Sequence, residues 1–284
     1  MPRYAYVNGR YQPHANAMVH VEDRGFQFAD GVYEVVTVQD GHLVAEEGHL
    51  NRLGRSLGEL RIDWPMSRAS LELVMRTLIR RNGITDGIVY LQVTRGAAPR
   101  DFRYPSGVKP SLVMTTRHMD LNPTARLEHG VSVITIPDIR WKRRDIKSVA
   151  LLPQAMGKQQ AAEAGAFEAW QVDDDGTVTE GCSSNAWIVT SDGVLVTRQA
   201  STRILNGITR QSILRLAAEA GIGFEERPFT VDEAHAAKEA FLSSATTYVT
   251  PVTRIDGQPV GEGVPGPLAA RLRQAYWDYA ADHA

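Results

Sequence analysis

Cysteine is nearly absent from this chain of 284 residues: Cys182 stands alone, so no disulfide can form within one chain and no cysteine cluster can hold a metal. Lysine is scarce as well, with five in all, at positions 109, 142, 147, 158 and 238. No run approaches the ~18 apolar residues that a membrane-spanning helix requires, and the first ten residues hold nothing like the apolar core of a secretion signal. The expectation is a chain that is neither exported nor membrane-spanning and that works in a reducing, cytoplasmic setting. An excess of charge of one sign is also missing: the net charge is -2, which gives nucleic acid little reason to bind. The basic run from Arg140 to Arg144 reads as a solvated face. The eight histidines show neither His-x-x-x-His spacing nor clustered carboxylates, so no metal site is expected.

What is present is 43% hydrophobic and 23% charged residues, enough for one large core or two smaller ones. Strand-like and helix-like patterns alternate over the first hundred residues. Tyr4 to Val7, Val32 to Val38 and Ile88 to Thr94 read as strands. Leu71, Val74, Met75, Leu78 and Ile79 recur at helical spacing, with Ser67 placed to cap the start and Gly83 to end it. His118 to Gly130 breaks both periods and contains Asn122-Pro123, as a linker would. Beyond it, Val131 to Ile136, Phe167 to Val172, Ala186 to Thr190 and Val194 to Thr197 read as strands, with turns at Asp175-Gly176 and Asp192-Gly193. Asp173 to Asp175 reads as a solvated turn. Helices are expected over Pro153 to Ala164, Thr209 to Ala220 and Pro267 to Ala281. The predicted organisation is a small N-terminal α/β domain, 1–119, a linker, 120–130, and a larger C-terminal α/β domain, 131–284, carrying Lys147.

Three features could carry chemistry. Lys147 lies between Ile146 and the apolar run Val149 to Leu152, where burial would disfavour its charged form. A neutral amine can attack an aldehyde, although a lysine snorkelling at a strand end gives the same local pattern. Asn206-Gly207-Ile208-Thr209 precedes an amphipathic stretch, so free backbone N–H groups and a positive dipole end would face an anion there. An ordinary threonine cap is the plainer alternative. Glu180 precedes small residues that would leave its carboxylate access to a cleft, while an exposed strand-end glutamate is the default. An amine, an anion cradle and a carboxylate are the groups that pyridoxal phosphate chemistry demands: one holds the aldehyde, one the phosphate, one the protonated ring nitrogen. Cys182 beside Glu180 reads as a small buried residue rather than a nucleophile, and His49 as structural.

Six spaced segments combine: Asp30-Gly31-Val32-Tyr33-Glu34, His49-Leu50-Asn51-Arg52-Leu53, Gln92-Val93-Thr94-Arg95-Gly96, Ile146-Lys147-Ser148, Thr179-Glu180-Gly181 and Gly207-Ile208-Thr209-Arg210. In this order they resemble the class IV pyridoxal phosphate-dependent aminotransferases, over about Tyr6 to Pro251. The stretches Glu22 to Val36 and Asp138-Ile139-Arg140-Trp141 are most similar to the bacterial D-amino acid transaminase branch. The resemblance implies a mixed α and β, two-domain fold type IV architecture with the cofactor between the domains, and a homodimer. It implies Lys147 as the Schiff-base lysine, Glu180 at the pyridine nitrogen, Leu205 against the ring face, and Arg52, Ile208 and Thr209 on the phosphate. Ala245 stands where the relatives have a phosphate-binding threonine, with Ser244 and Thr246 beside it as substitutes.

For the substrate carboxylate the resemblance implies Tyr33 and Arg100. The family histidine is replaced by Phe102, which cannot donate a hydrogen bond, and Arg103 stands beside it. The activity implied is ping-pong transfer of an amino group between D-amino acids and 2-oxo acids, with pyridoxal 5′-phosphate alternating with pyridoxamine 5′-phosphate. The alternatives are a transaminase of branched-chain L-amino acids or (R)-amines, an aminodeoxychorismate lyase, or a binding protein without turnover.

Overall fold

The computed structural model describes residues 3–282. The chain divides into two compact units, one running to Leu121 and taking in Ile146–Ala150, the other comprising Asn122–Asp145 and Leu151–Asp282.

The first unit is an antiparallel sheet covered by two helices. Its strands are β1 (Tyr4–Val7), β2 (Arg10–Pro13), β3 (Gly31–Gln39), β4 (His42–Leu43), β5 (Gly87–Thr94) and β6 (Ser111–His118), in the order β2-β1-β6-β5-β3-β4. A short helix, α1 (Arg24–Phe28), precedes β3, and α2 (Glu46–Leu60) and α3 (Arg68–Asn82) lie between β4 and β5. Ser67 caps α3 by accepting the Ser70 N–H at 3.2 Å, and Gly83 ends it in the left-handed region, φ 61°, as the sequence predicts. Alternation along β3 sends Val32, Glu34, Val36 and Val38 to the core with Leu50, Leu53 and Leu57 of α2 and Leu71, Met75 and Leu78 of α3. Tyr33 and Val35 point to the other face and stay half-buried.

The second unit is built on a sheet of nine strands. After α4 (Thr124–His129) come β7 (Val131–Pro137), α5 (Leu152–Glu163), β8 (Glu168–Val172), β9 (Val178–Gly181), β10 (Asn185–Val189) and β11 (Leu195–Thr197). Then follow α6 (Ile208–Glu219), β12 (Phe224–Glu226), α7 (Val231–His235), β13 (Glu239–Ser244), β14 (Tyr248–Ile255), β15 (Gln258–Pro259) and α8 (Pro267–Asp282). The order is β12-β11-β10-β13-β14-β7-β8-β9, with β15 on β14. Trp170, Ile188, Val196, Phe229, Leu242 and Val252 form its core. The turns at Asp175-Gly176 and Asp192-Gly193 join β8 to β9 and β10 to β11, each with its glycine at positive φ.

The structure differs from the sequence reading at two places here. The expected linker at 120–130 contains the division at Leu121/Asn122 but is helical from Thr124. Lys147, expected in the second domain, sits in a segment that belongs with the first unit. The reason is backbone pairing: Tyr33 N–H donates to Lys147 O and Val149 N–H to Gly31 O, both at 3.0 Å, and Ile146 is buried in the first core.

Candidate active site

In the first unit, Ile146 and Ser148 are both buried, which leaves the Lys147 side chain between them facing outward, only half-buried. Its Nζ lies 4.3 Å from the centre of the Tyr33 ring. Tyr90 stands beside that ring, centroids 5.7 Å apart, and donates its hydroxyl to Gln92 Oε1 at 2.6 Å. Burial, with Tyr33 adding to it, pushes the Tyr90 phenol up to about 12, so it stays protonated at neutral pH.

On the opposite face of β3, Glu34 is enclosed and accepts three bonds at 2.7 Å, from His49 Nδ1, Arg52 Nε and Arg52 Nη2. Burial alone would raise the Glu34 carboxyl. The Arg52 charge and hydrogen bonds, then His49, outweigh it and pull it down to about 2. Burial keeps His49 below its usual value, so the neutral ring donates Nδ1–H and the carboxylate fixes the tautomer. His49, Arg52 and Ser56 recur along one stripe of α2, and Ser56 Oγ accepts the Lys147 N–H at 3.4 Å. Glu34 therefore fixes the plane of the Arg52 guanidinium.

Arg100 lies on aromatic faces, 4.7 Å from the Phe28 ring centre and 5.7 Å from that of Phe102, and the two rings are 5.5 Å apart. The loop carrying it is tied down by Arg24, which donates to Asp101 O at 2.6 Å and to Asp30 at 2.7 Å. Arg103 is turned away onto Asp101, its side chain 88% exposed.

In the second unit, Glu180 on β9 is buried and ringed by donors. Arg140 Nη1 approaches Oε1 at 2.5 Å, Asn185 Nδ2 approaches Oε2 at 3.1 Å, and the Leu205 N–H is 3.1 Å from each oxygen. Burial pushes the Glu180 carboxyl up by more than Arg140 and Leu205 hold it down. The basic run at 140–144, expected to be a solvated face, is partly enclosed. The Arg140 and Arg144 side chains are 6% exposed and face Asp138, Glu180 and Asp173, while Arg143 and Trp141 remain outside. The sequence reading missed Arg140, Asp138 and Asn185 as neighbours of Glu180. The one local signal was the Asp138-x-Arg140 spacing, and nothing local shows a partner some forty residues on.

Gly207 stands at the start of α6, where no side chain caps the first turn. A Cβ at Gly207 would collide with the Asn185 side-chain oxygen, so the glycine is needed there for the close approach of Asn185. Asn185 in turn donates to Leu205 O at 2.9 Å. Thr209 Oγ1 is 3.4 Å from Tyr276 OH, and Tyr276 packs edge-on against Tyr248, centroids 4.8 Å apart. Tyr248 closes the turn bearing Ser244, Ala245 and Thr246, where Ser244 Oγ is 3.2 Å from Thr246 Oγ1 and 2.9 Å from Thr247 Oγ1. Ser244 and Thr246 thus share one hydroxyl cluster. Cys182 is buried, its thiol pushed up to about 12 by burial and then Glu168, which suits packing and not nucleophilic attack.

A two-unit α/β chain with an outward lysine, a buried, donor-ringed carboxylate and an uncapped helix start has the marks of a cofactor-dependent enzyme. The chain belongs to the class IV aminotransferase family, whose model matches residues 31–255. It is 45% identical over 268 residues to the D-alanine aminotransferase of Bacillus licheniformis, covering 94% of each chain. It is 40% identical over 279 residues to that of Staphylococcus aureus (strain MSSA476), covering 98% of each. The branched-chain amino acid aminotransferase of Escherichia coli superposes with a TM-score of 0.91 at 26% identity, over 100% of this chain and 97% of that one. The T.th. branched-chain amino acid aminotransferase with pyridoxamine 5′-phosphate gives 0.90, again at 26%, over 99% and 95%. The fold is that of fold type IV aminotransferases, and the cofactor of the family is pyridoxal 5′-phosphate. Groups of the kinds that this cofactor takes are present: a half-buried amine within the first unit, and within the second a buried carboxylate and a helix start with uncapped N–H groups.

Proposed function

We propose that the chain is a D-amino acid:2-oxo acid aminotransferase of the D-alanine type, acting on small amino acids and 2-oxo acids in the cytoplasm as a homodimer. The observation that carries the substrate reading is the near-full-length identity to D-alanine aminotransferases of two bacterial genera. The branched-chain enzymes are like it in fold at much lower identity.

Lys147 is assigned the aldehyde, Glu180 the ring nitrogen, and Leu205 the ring face. Arg52, the N–H groups of Ile208 and Thr209, and the hydroxyls of Ser244 and Thr246 are assigned the phosphate. Bound there, pyridoxal phosphate supplies an aldehyde for the amino group and a protonated ring that draws electrons from the Cα–H bond. Lys147 Nζ would take the Cα proton and hand it on within the same half-reaction, and the second half-reaction would run that transfer in reverse. The Tyr33 ring, 4.3 Å from Nζ, gives the amine a cation–π contact that helps to hold it in place. Tyr33 and Arg100 bind the substrate carboxylate, and the stack of Phe28, Arg100 and Phe102 keeps the guanidinium plane fixed where the family has a histidine. The homodimer is supported by large exposed apolar side chains in the first unit, Met18 at 78%, Phe26 at 76% and Phe102 at 82%, which a second copy would cover.

Single-turnover mixing of the loaded enzyme with D-alanine, D-glutamate, L-leucine and (R)-1-phenylethylamine tests the reading. Conversion to pyridoxamine phosphate by a D-amino acid is expected. Reaction with L-leucine and with no D-amino acid would overturn it.

A further inference from the structure

Glu180 accepts from Arg140 of the segment after β7, from Asn185 of β10 and from the Leu205 N–H of the segment before α6, while Asp138 and Thr179, both bonded to Arg140, lie beside it. Of these groups Arg140 alone is cationic, and Asp138 is anionic. Arg140 is itself gripped. Asp138, its side chain fully enclosed, accepts the Arg140 backbone N–H at 3.1 Å, Nε at 3.0 Å and Nη2 at 2.7 Å. Thr179 Oγ1 donates to Asp138 Oδ2 at 2.7 Å, and Arg144 Nε lies 3.4 Å from that oxygen. A guanidinium is planar and rigid. With its Nε and Nη2 edge fixed on Asp138, Nη1 has one direction left, and that direction ends on Glu180 Oε1.

We propose that Arg140 is a positioning residue for the reaction, holding Glu180 as an oriented anion for the cofactor's ring nitrogen, with Asp138 fixing Arg140 in turn. This rests on the reading of Glu180 as the ring-nitrogen partner. A carboxylate this deeply buried tends to take up a proton, and Glu180 already leans that way with Arg140 present. Without Arg140 the burial is opposed only by neutral donors. A neutral Glu180 would no longer favour a protonated ring nitrogen, and the pull on the Cα–H electrons would weaken.

R140M, R140K and E180Q test this on the full chain. In cofactor-free protein, the infrared carboxyl band that E180Q removes reports the Glu180 titration. Its midpoint is expected to rise in R140M by about one pH unit or more, because only the opposing charge is gone. In loaded enzyme, kcat with D-alanine is expected to fall roughly 10- to 100-fold, the loss typical when the outer partner of a ligating group is removed. KM should move by less than about threefold, as for an interaction made in the transition state. R140K, which keeps the charge and loses the fork, should lie between, and carries the test if R140M does not fold. An unchanged midpoint and unchanged kcat in R140M, with only its melting temperature lowered, would make Arg140 purely structural and overturn the proposal. An E180Q enzyme with wild-type kcat and cofactor spectrum would instead overturn the reading of Glu180 itself, and the proposal with it.

Discussion

Tyr33 and Glu34 are neighbours in the chain yet serve opposite faces of β3, and this single alternation divides the work of the first unit. Tyr33 carries the Lys147 amine on the outward face, while Glu34 holds His49 and Arg52 within the core. The Phe28 and Phe102 rings orient Arg100 without a hydrogen bond. An exposed cation–π contact stabilises by about 0.5–1 kcal/mol. F102A is therefore expected to raise KM for D-alanine roughly two- to fivefold with little change in kcat, while F102W restores it. Steady-state kinetics on the three enzymes checks this, and equal loss of kcat in F102A would argue against the stack. Lys147 and Glu180 could be singled out as candidates in the sequence because six spaced segments stand in the family's order, since their flanking residues alone suit an ordinary surface lysine and glutamate as well. Arg140 could not be. Its charge lies in a basic run that reads as surface, and although Asp138 is two residues away, Glu180 becomes its neighbour only when β7 and β9 are in place.

Among the elements, α6 shows how the local fold shapes the proposed anion cradle. Its start is uncapped, and Arg210 braces the preceding turn by donating to Asn206 Oδ1 at 3.1 Å and to Arg198 O at 2.8 Å. Arg273 of α8 steadies the turn of Ser244 to Tyr248, donating to Thr247 O at 3.0 Å and to Val249 O at 2.9 Å. G207A places a methyl group against the Asn185 amide, which must then release Leu205 O or Glu180. The expected outcome is at least ~10-fold weaker retention of pyridoxal phosphate, from about 1.4 kcal/mol of lost contacts. Equilibrium dialysis measures it, and unaltered retention would refute the packing role of Gly207. Strands with clear alternation such as β3 and β5, and a helix with clean caps such as α3, could be read in advance. α2 was missed although Leu50, Leu53 and Leu57 recur at helical spacing and line its buried face beside His49 and Ser56. β14 was hidden by Pro251, an unusual residue within a sheet. It is tolerated because pairing with β7 begins only at Val252.

At the scale of the whole molecule, the enclosed Glu34 and His49 make the fold sensitive to acid. Glu34 lies near 2 when folded against an ordinary 4.5, so its contribution is complete above about 4.5 and is lost as pH falls toward 2. His49, lowered by burial, resists a proton that the unfolded chain accepts below about 6.5, which costs stability in the same direction. Thermal melts should therefore fall steadily below pH 6.5, and E34Q should lose the part between 4.5 and 2. A wild-type melting temperature that rises on acidification through this window would contradict the charge assignments. The placement of Ile146–Ala150 with the first unit could not be foreseen from the chain order, since it depends on pairing with Gly31 and Tyr33 more than a hundred residues earlier. The account as a whole depends on which amine holds the cofactor. Borohydride treatment of the loaded enzyme, followed by peptide mapping, fixes the cofactor to that amine. The phosphopyridoxyl group is predicted on Lys147, and its appearance on Lys109, Lys142, Lys158 or Lys238, or on no lysine, would contradict the account.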